Sequence, residues 1–301
     1  MIKREQYQSF KERIEDSRLF IQLLTGPRQV GKTTLIKQIL DDISIDSMYL
    51  SADAMGNTSK YWISQQWEIA RIKLSQSPKK EIVLVFDEIQ KIDNWSEIVK
   101  KEWDSDTQNN INLKLVLLGS SRLQLQKGLT ESLTGRFENT FLPHWSFQEM
   151  QEAFDFDENQ YIWFGGYPGM APIINDEKRW KEYIIGSLIE TSISKDILMM
   201  NRIDKPVLLK RLFELGCLYS GQILSFSKIV GQLQDAGNTT TLSNYLKLLD
   251  SAGMLTGIEK TYTEKIRTRA SSPKFQVYNN ALMNALKDET FHTAMNQPQI
   301  W

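Results

Sequence analysis

Gly26-Pro27-Arg28-Gln29-Val30-Gly31-Lys32-Thr33 is the stretch on which the reading of the fold turns. Its spacing is G-x-x-x-x-G-K-[ST], and each residue type follows from what a chain of phosphates requires. Successive backbone N–H groups have to wrap the anion closely, so glycine stands at Gly26 and Gly31, where the chain must bend without a side chain in the way. A helix opening near Lys32 adds its N-terminal amides and the positive end of its dipole. Lys32 supplies a cation for the outer phosphates, and the Thr33 hydroxyl supplies an oxygen ligand for Mg²⁺. Gly26, Pro27, Arg28, Gln29, Val30, Gly31, Lys32, Thr33 and the adjacent Thr34 are therefore the candidate nucleotide-binding loop.

The flanks set this loop in a layered α/β fold. Residues 19–24 form an apolar run of strand length just before the loop, and 32–40 carry a helical pattern just after it. Further strand-like runs lie at 47–50, 82–86, 113–118 and 137–142, separated by helical patterns at 60–74, 95–104 and 122–133. Such alternation predicts a five-stranded parallel sheet covered by helices on both faces.

The run at 82–86 ends in Asp87-Glu88. Two acids at the C-terminal end of a buried parallel strand lie where open α/β sheets do their ligand chemistry. Asp87 would hold Mg²⁺ through its water shell, and Glu88 would orient and deprotonate an attacking water. Alone, the pair also reads as solvated charge; following a complete phosphate loop, it reads as chemistry.

With these two motifs the sequence resembles the AAA+ superfamily of P-loop ATPases. The resemblance implies ATP and Mg²⁺ as cofactors, with the magnesium and water-activating roles on Asp87 and Glu88. It further implies a polar sensor residue at the tip of the strand at 113–118, where Ser120 or Ser121 would serve; a helix-capping serine is the alternative at either position. Arg136, in Thr134-Gly135-Arg136-Phe137, corresponds to an arginine finger that reaches the γ-phosphate of a neighbouring subunit, implying a homo-oligomer. The alternative is a structural ion pair with a nearby acid such as Glu138 or Glu131, which would make the protein no more than incidentally oligomeric. Lys32, Glu88, Ser120 and Arg136 are thus the candidate catalytic set, and Thr33 and Asp87 the candidate metal ligands. ATP in preference to GTP rests on the resemblance alone.

A closer resemblance is carried by G-P-R-Q-V-G-K-T-T at 26–34, D-E-I-Q at 87–90, G-S-S at 119–121, L-T-G-R-F at 133–137, L-P-H-W-S-F-Q-E-M at 142–150 and G-G-Y-P-G at 165–169. Together they look like a family of uncharacterised prokaryotic AAA-type ATPases. Its members continue past a winged-helix region into a domain similar to restriction-endonuclease-like folds. Here the chain stops at Trp301, soon after the strand pattern at 274–278, so either it is truncated or it does without that domain, and no nuclease activity is assigned.

The length of 301 residues accommodates two domains. The expected organisation is an N-terminal helix at 1–17, an ATPase domain at 18–150, a helical linker at 151–203 with a hinge at 165–169, a winged-helix domain at 204–262 and an incomplete segment at 263–301. Helical patterns at 204–219, 225–233 and 239–251, followed by an apolar stretch at 254–258, motivate the winged helix.

A net charge of −1 lacks the overall basic footprint of non-specific nucleic-acid binding, so any DNA contact has to be local. Thr240, Thr241, Ser243, Asn244 and Lys247 on the third helix, with Lys260, Lys265, Arg267, Arg269 and Lys274 beyond it, make 204–274 the candidate DNA surface. Packing or a protein partner is the competing use. The single cysteine, Cys217, excludes an internal disulfide and sits in an apolar helical stretch. His144 and His292 lack ligands at metal spacing. A polar N-terminus and the lack of an apolar run of roughly 20 residues point away from export and membranes, to a cytoplasmic protein. The expected activity is ATP hydrolysis coupled to a conformational change acting on DNA or a protein partner; a nucleotide-gated switch or a DNA-binding module with little turnover is the alternative.

Overall fold

A computed structural model describes residues 2–54, 61–119, 132–198, 203–233, 238–260 and 272–297. The chain divides into two compact units, Met1–Pro143 and His144–Trp301.

In the first unit the described elements are α1 (Tyr7–Glu15), β1 (Ile21–Thr25), α2 (Lys32–Asp42), β2 (Asp46–Ser51), α3 (Trp62–Gln76), β3 (Ile82–Asp87), α4 (Trp95–Gln108), β4 (Leu113–Gly119) and β5 (Phe137–Phe141). Among the described residues the sheet has five strands, all parallel, in the order β2-β3-β4-β1-β5. The helix expected at 122–133 falls mostly outside the described residues.

Alternation along the strands explains why these runs read as continuously apolar. Leu24, Val83, Val85, Val116 and Leu118 pack on one face with Phe10 and Ile14 of α1 and Leu35, Ile36 and Ile39 of α2. Leu23, Leu84, Phe86, Leu115 and Leu117 pack on the other with Ile63 and Trp67 of α3 and Val99 and Trp103 of α4. A sheet covered on both faces leaves few positions for polar residues, and those buried in its strands, such as Gln22 and Lys114, lie near the strand ends. The N-terminal helix accordingly belongs to this core, fastened through Tyr7 and Lys3, which both donate to Asp42 at the end of α2.

α3 and α4 are joined by a charged network under the sheet. Asp106, fully buried, accepts from Trp67 Nε1 at 2.7 Å and from Arg71 Nε at 2.7 Å, while Arg71 also pairs with Glu102 at 2.9 Å. All the polar atoms of this cluster come from helix faces that the apolar pattern alone would leave unexplained.

The second unit holds α5 (Phe147–Phe154), α6 (Glu158–Phe164), α7 (Glu177–Tyr183), α8 (Pro206–Leu218), α9 (Phe226–Gln232), α10 (Thr239–Ser251), β6 (Leu255–Ile258), β7 (Lys274–Val277), α11 (Asn280–Asn284) and α12 (Phe291–Met295). Capping boxes at Ser146 with Glu149 and at Asp157 with Gln160 cut the helical pattern of this region into separate helices. β6 and β7 pair antiparallel, Leu255 opposite Val277 and Ile258 opposite Lys274. The residues at 165–169, read as a turn or hinge, end α6 and lie inside this unit, where Asn279 Oδ1 accepts from Gly166 N at 3.3 Å and Phe164 meets Trp180 edge-on at 5.0 Å. His144 is also used internally, with Nε2 3.1 Å from the Gly253 carbonyl oxygen. Cys217 is buried, and burial pushes its thiol well above the usual range, which fits inert packing.

Removing a partner from a buried charge cluster costs roughly 3 kcal/mol or more. Asp106→Ala should therefore lower unfolding stability by about 3 kcal/mol in urea titrations. A loss under about 1 kcal/mol would mean that the network is not worth what its burial implies.

Candidate functional site

The site is built at the C-terminal edge of the sheet, where β1 runs into the phosphate loop and α2 begins. Gly31 is the N-cap of α2 at φ 92° and ψ 25°, a left-handed conformation that a side chain would strain. Gly26 is required for a different reason: a Cβ there would lie 2.2 Å from the Leu142 carbonyl oxygen, so the chain just after strand β5 leaves the loop no lateral room. Lys32, 8% exposed, reaches back over the loop and donates to the carbonyl oxygens of Gly26 at 2.9 Å and Pro27 at 2.7 Å. Arg4 braces the loop. Its guanidinium, 4% exposed, donates to Val30 O at 2.7 Å and to Pro143 O at 3.1 Å. An arginine in a polar N-terminal segment carries no local signal for that role, and sequence reasoning missed it.

Asp87 ends β3. Its odd-numbered predecessors Val83 and Val85 face α2, and strand alternation points Asp87 the same way. There the Thr33 hydroxyl donates to Asp87 Oδ2 at 3.0 Å. A second hydroxyl, from Tyr49 of β2, donates to the same oxygen. The register pairs Ser51 with Asp87, which puts Tyr49 on the diagonal, within reach of a long aromatic side chain. Lys37 Nζ stands 5.2 Å from the Tyr49 ring centroid. Burial, and then the Asp87 carboxylate, push the Tyr49 phenol far above its ordinary range, so it remains a protonated donor at neutral pH. Tyr49 was read only as part of a strand; its approach to Asp87 depends on register, which a single sequence does not give.

Glu88 follows in the left-handed conformation, φ 55°, with its N–H donating to Leu118 O at 3.1 Å. That turn separates the two acids, leaving Asp87 buried and Glu88 half-buried. Gln90 Nε2 donates to Glu88 Oε2 at 2.6 Å. The groups gathered here, the Thr33 and Tyr49 hydroxyls and the Asp87 and Glu88 carboxylates, with the Lys32 ammonium next to Thr33 in the chain, are hard-oxygen and cationic chemistry suited to Mg²⁺ and phosphate rather than to a thiolate-loving metal.

Lys32, Thr33 and Asp87 are thus brought together, with Glu88 next in the chain. Ser120 lies outside the described residues, as does Ser121. Arg136 is at the other edge of the sheet: its carbonyl accepts from Ile21 N at 2.8 Å, at the start of β1. Five residues of strand separate the two edges by roughly 16 Å, so Arg136 does not join its own loop. Its guanidinium is bound by Asp104 of α4, Nε to Oδ1 at 2.8 Å and Nη2 to Oδ2 at 3.1 Å. Glu138, one of the two acids anticipated as its partner, instead accepts from Gln22 Nε2 at 3.2 Å. Glu131, the other, lies outside the described residues.

Residues 19–151 match the family model described as an AAA domain. They form a P-loop domain of the AAA+ superfamily. Downstream of the AAA domain, residues 155–293 match a second model, a domain of unknown function (DUF8612). Two curated relatives align with most of the chain: an uncharacterised protein of Haemophilus influenzae is 25% identical over 84% of this chain, and the uncharacterised protein MJ1544 of Methanocaldococcus jannaschii is 25% identical over 78%. The chain spans 65% and 55% of the lengths of those relatives. Among solved structures, the Holliday junction branch migration motor RuvB of Thermotoga maritima aligns at 21% identity and a TM-score of 0.42, over 88% of this chain and 90% of that one. Among the described residues no helix is long and apolar enough to cross a membrane.

The crowding at Gly26 gives the AAA domain a direct test. Gly26→Ala forces a methyl group against a backbone carbonyl, an overpacking that costs typically 1–3 kcal/mol. The variant should melt several degrees below the parent in differential scanning calorimetry; an unchanged melting temperature would contradict the tight approach of Leu142.

Proposed function

We propose that this chain binds ATP with Mg²⁺ in the loop at 26–34 and hydrolyses it. The reading is carried by the meeting of Lys32, Thr33 and Asp87 at one helix mouth, in a loop whose shape Gly26 and Gly31 allow. Backbone amides of the loop and the α2 dipole hold the phosphates, and Lys32 neutralises their charge. Thr33 and Asp87 would hold Mg²⁺, which when bound offsets charge on the transferring phosphoryl group. Glu88 accepts the proton of the attacking water. Ser120 is retained as the sensor between that base and the γ-phosphate.

Arg136 is proposed to act in trans, on the nucleotide of a second copy in a homo-oligomer. What supports this is its distance from its own loop and the nature of its present partner. The Arg136 and Asp104 side chains are 33% and 35% exposed, and half-exposed pairs are worth only about 0–1 kcal/mol, so exchange for a phosphate is cheap.

Hydrolysis is proposed to drive a conformational change acting on DNA or a protein partner in the cytoplasm. Support for a winged helix comes from the succession α8, α9, α10 and the β6–β7 pair. Thr240, Asn244, Lys247, Lys260 and Lys274 are exposed there, while Lys265, Arg267 and Arg269 lie outside the described residues. A nucleotide-gated switch with slow turnover is the second reading; the sparse charge of α10, with Lys247 and Asp250 alone, favours a protein surface over DNA as what it gates.

Glu88→Gln should reduce phosphate release at least about 100-fold while ATP affinity stays within a few fold, and Lys32→Ala should abolish binding. Equal turnover in Glu88→Gln would remove Glu88 as the base. Specific activity should rise with protein concentration, and Arg136→Ala should lose that rise; a flat profile in the parent would exclude the trans role.

A further inference from the structure

Asp87 receives two hydroxyl donors on a single oxygen, from two different elements: Thr33 on the first turn of α2 and Tyr49 near the end of β2. One hydrogen bond leaves a carboxylate able to rotate about its Cβ–Cγ bond. Two donors converging on Oδ2 from separate elements fix its plane and leave Oδ1 as the oxygen that neither hydroxyl uses. The phenol is itself held. Its ring packs against the core on the α2 side of the sheet, and Lys37, one helical turn beyond Thr33, lies over it. A tyrosine has only two side-chain torsions to immobilise, so this support is achieved at small entropic cost. β2 is the outer strand on this side of the sheet, with β3 its neighbour, and Tyr49 is thereby the link from that edge into the site.

We propose that Tyr49 is a positioning residue for magnesium, holding the Asp87 carboxylate so that Oδ1 serves the hydrated ion while Oδ2 is taken by the two hydroxyls. The inference rests on the Mg²⁺-ATP reading above and adds a residue to it. It predicts a separation that a merely structural tyrosine would not produce: loss of the hydroxyl changes the magnesium requirement and leaves metal-free nucleotide binding alone.

Tyr49→Phe keeps the ring and its contact with Lys37. Binding of a fluorescent ATP analogue is measured in EDTA and across a Mg²⁺ titration, with melting temperature followed in parallel. The affinity in EDTA should stay within about twofold, and the half-saturating Mg²⁺ concentration should rise about tenfold, the size expected for one hydrogen bond to a charged group. In an Asp87→Asn background the same substitution should add less than about twofold, because the two residues act through one carboxylate. An unchanged Mg²⁺ midpoint overturns the proposal, and so does an equal loss with and without Mg²⁺ accompanied by a lower melting temperature. If the parent protein binds the analogue in neither buffer, the Mg²⁺-ATP reading fails and this inference with it. Normal Mg²⁺ dependence in both proteins removes Tyr49 alone.

Discussion

The hydroxyl of Thr33 and the carboxylate of Asp87, 3.0 Å apart, are 54 residues apart in sequence, and the first unit is organised so that they meet. Thr33 can stand there only if β1 converts to α2 within a few residues, which requires the left-handed turn at Gly31 and the bare backbone at Gly26. Asp87 can stand there only if β3 is in register with both neighbours and its odd-numbered residues face α2. A slip of one residue would turn Asp87 to the opposite face and bury it against Trp62 and Trp67 of α3. Register in this sheet is therefore a chemical requirement as much as a packing one, and the strict alternation of the two cores enforces it.

Strand order contributes a second constraint. β4 lies between β1 and β3, so the loop and the carboxylate belong to strands that are not neighbours. The crevice at their C-terminal ends is consequently two strands wide, which suits a phosphate chain with a hydrated ion better than a single ladder spacing of about 4.8 Å would. Arg4 and Leu142 close the loop from behind, one by hydrogen bonds to Val30 and Pro143 and the other by steric contact with Gly26. These braces come from the beginning and the end of the unit, which explains why the N-terminal segment packs with the sheet and does not stand apart.

Much of this was legible in the residues themselves. Strand runs at 82–86 and 113–118 could be read because burial on both faces makes them continuously apolar, and α10 at Thr239–Ser251 because its buried face repeats at helical spacing. The phosphate loop could be read because its chemistry is local. Tyr49, Arg4 and Asp104 could not. Each acts through a partner far away in sequence, and nothing in Met48-Tyr49-Leu50 distinguishes a tyrosine aimed at a carboxylate from one that fills a strand. An ion pair was among the readings of Arg136, but its partner was missed for a related reason: the acids considered were near in sequence, whereas the one it binds is on α4, brought in by the helix packing across the sheet. The glycines at 165–169 were read as a turn or hinge because composition reports backbone freedom and not its use; in the fold they end α6, and Asn279 accepts from Gly166 N.

Burial sorts the proposed machinery into two groups with different jobs. Lys32, Asp87 and Arg4 are each less than a tenth exposed and held by hydrogen bonds to backbone or to one another's neighbours, so their geometry is set before any ligand arrives. Glu88, half-buried, and the Arg136–Asp104 pair, half-exposed, can change partners at low cost. An anion-binding cradle has to be rigid, because reorganising buried charges during each cycle would consume the electrostatic advantage it provides. Groups that report the state of the nucleotide to the rest of an assembly have to be the opposite. On the proposed reading the first unit keeps both kinds of group on one sheet: the rigid cradle and, next to it, Glu88 at the C-terminal edge, and the exchangeable cation of Arg136 at the N-terminal edge.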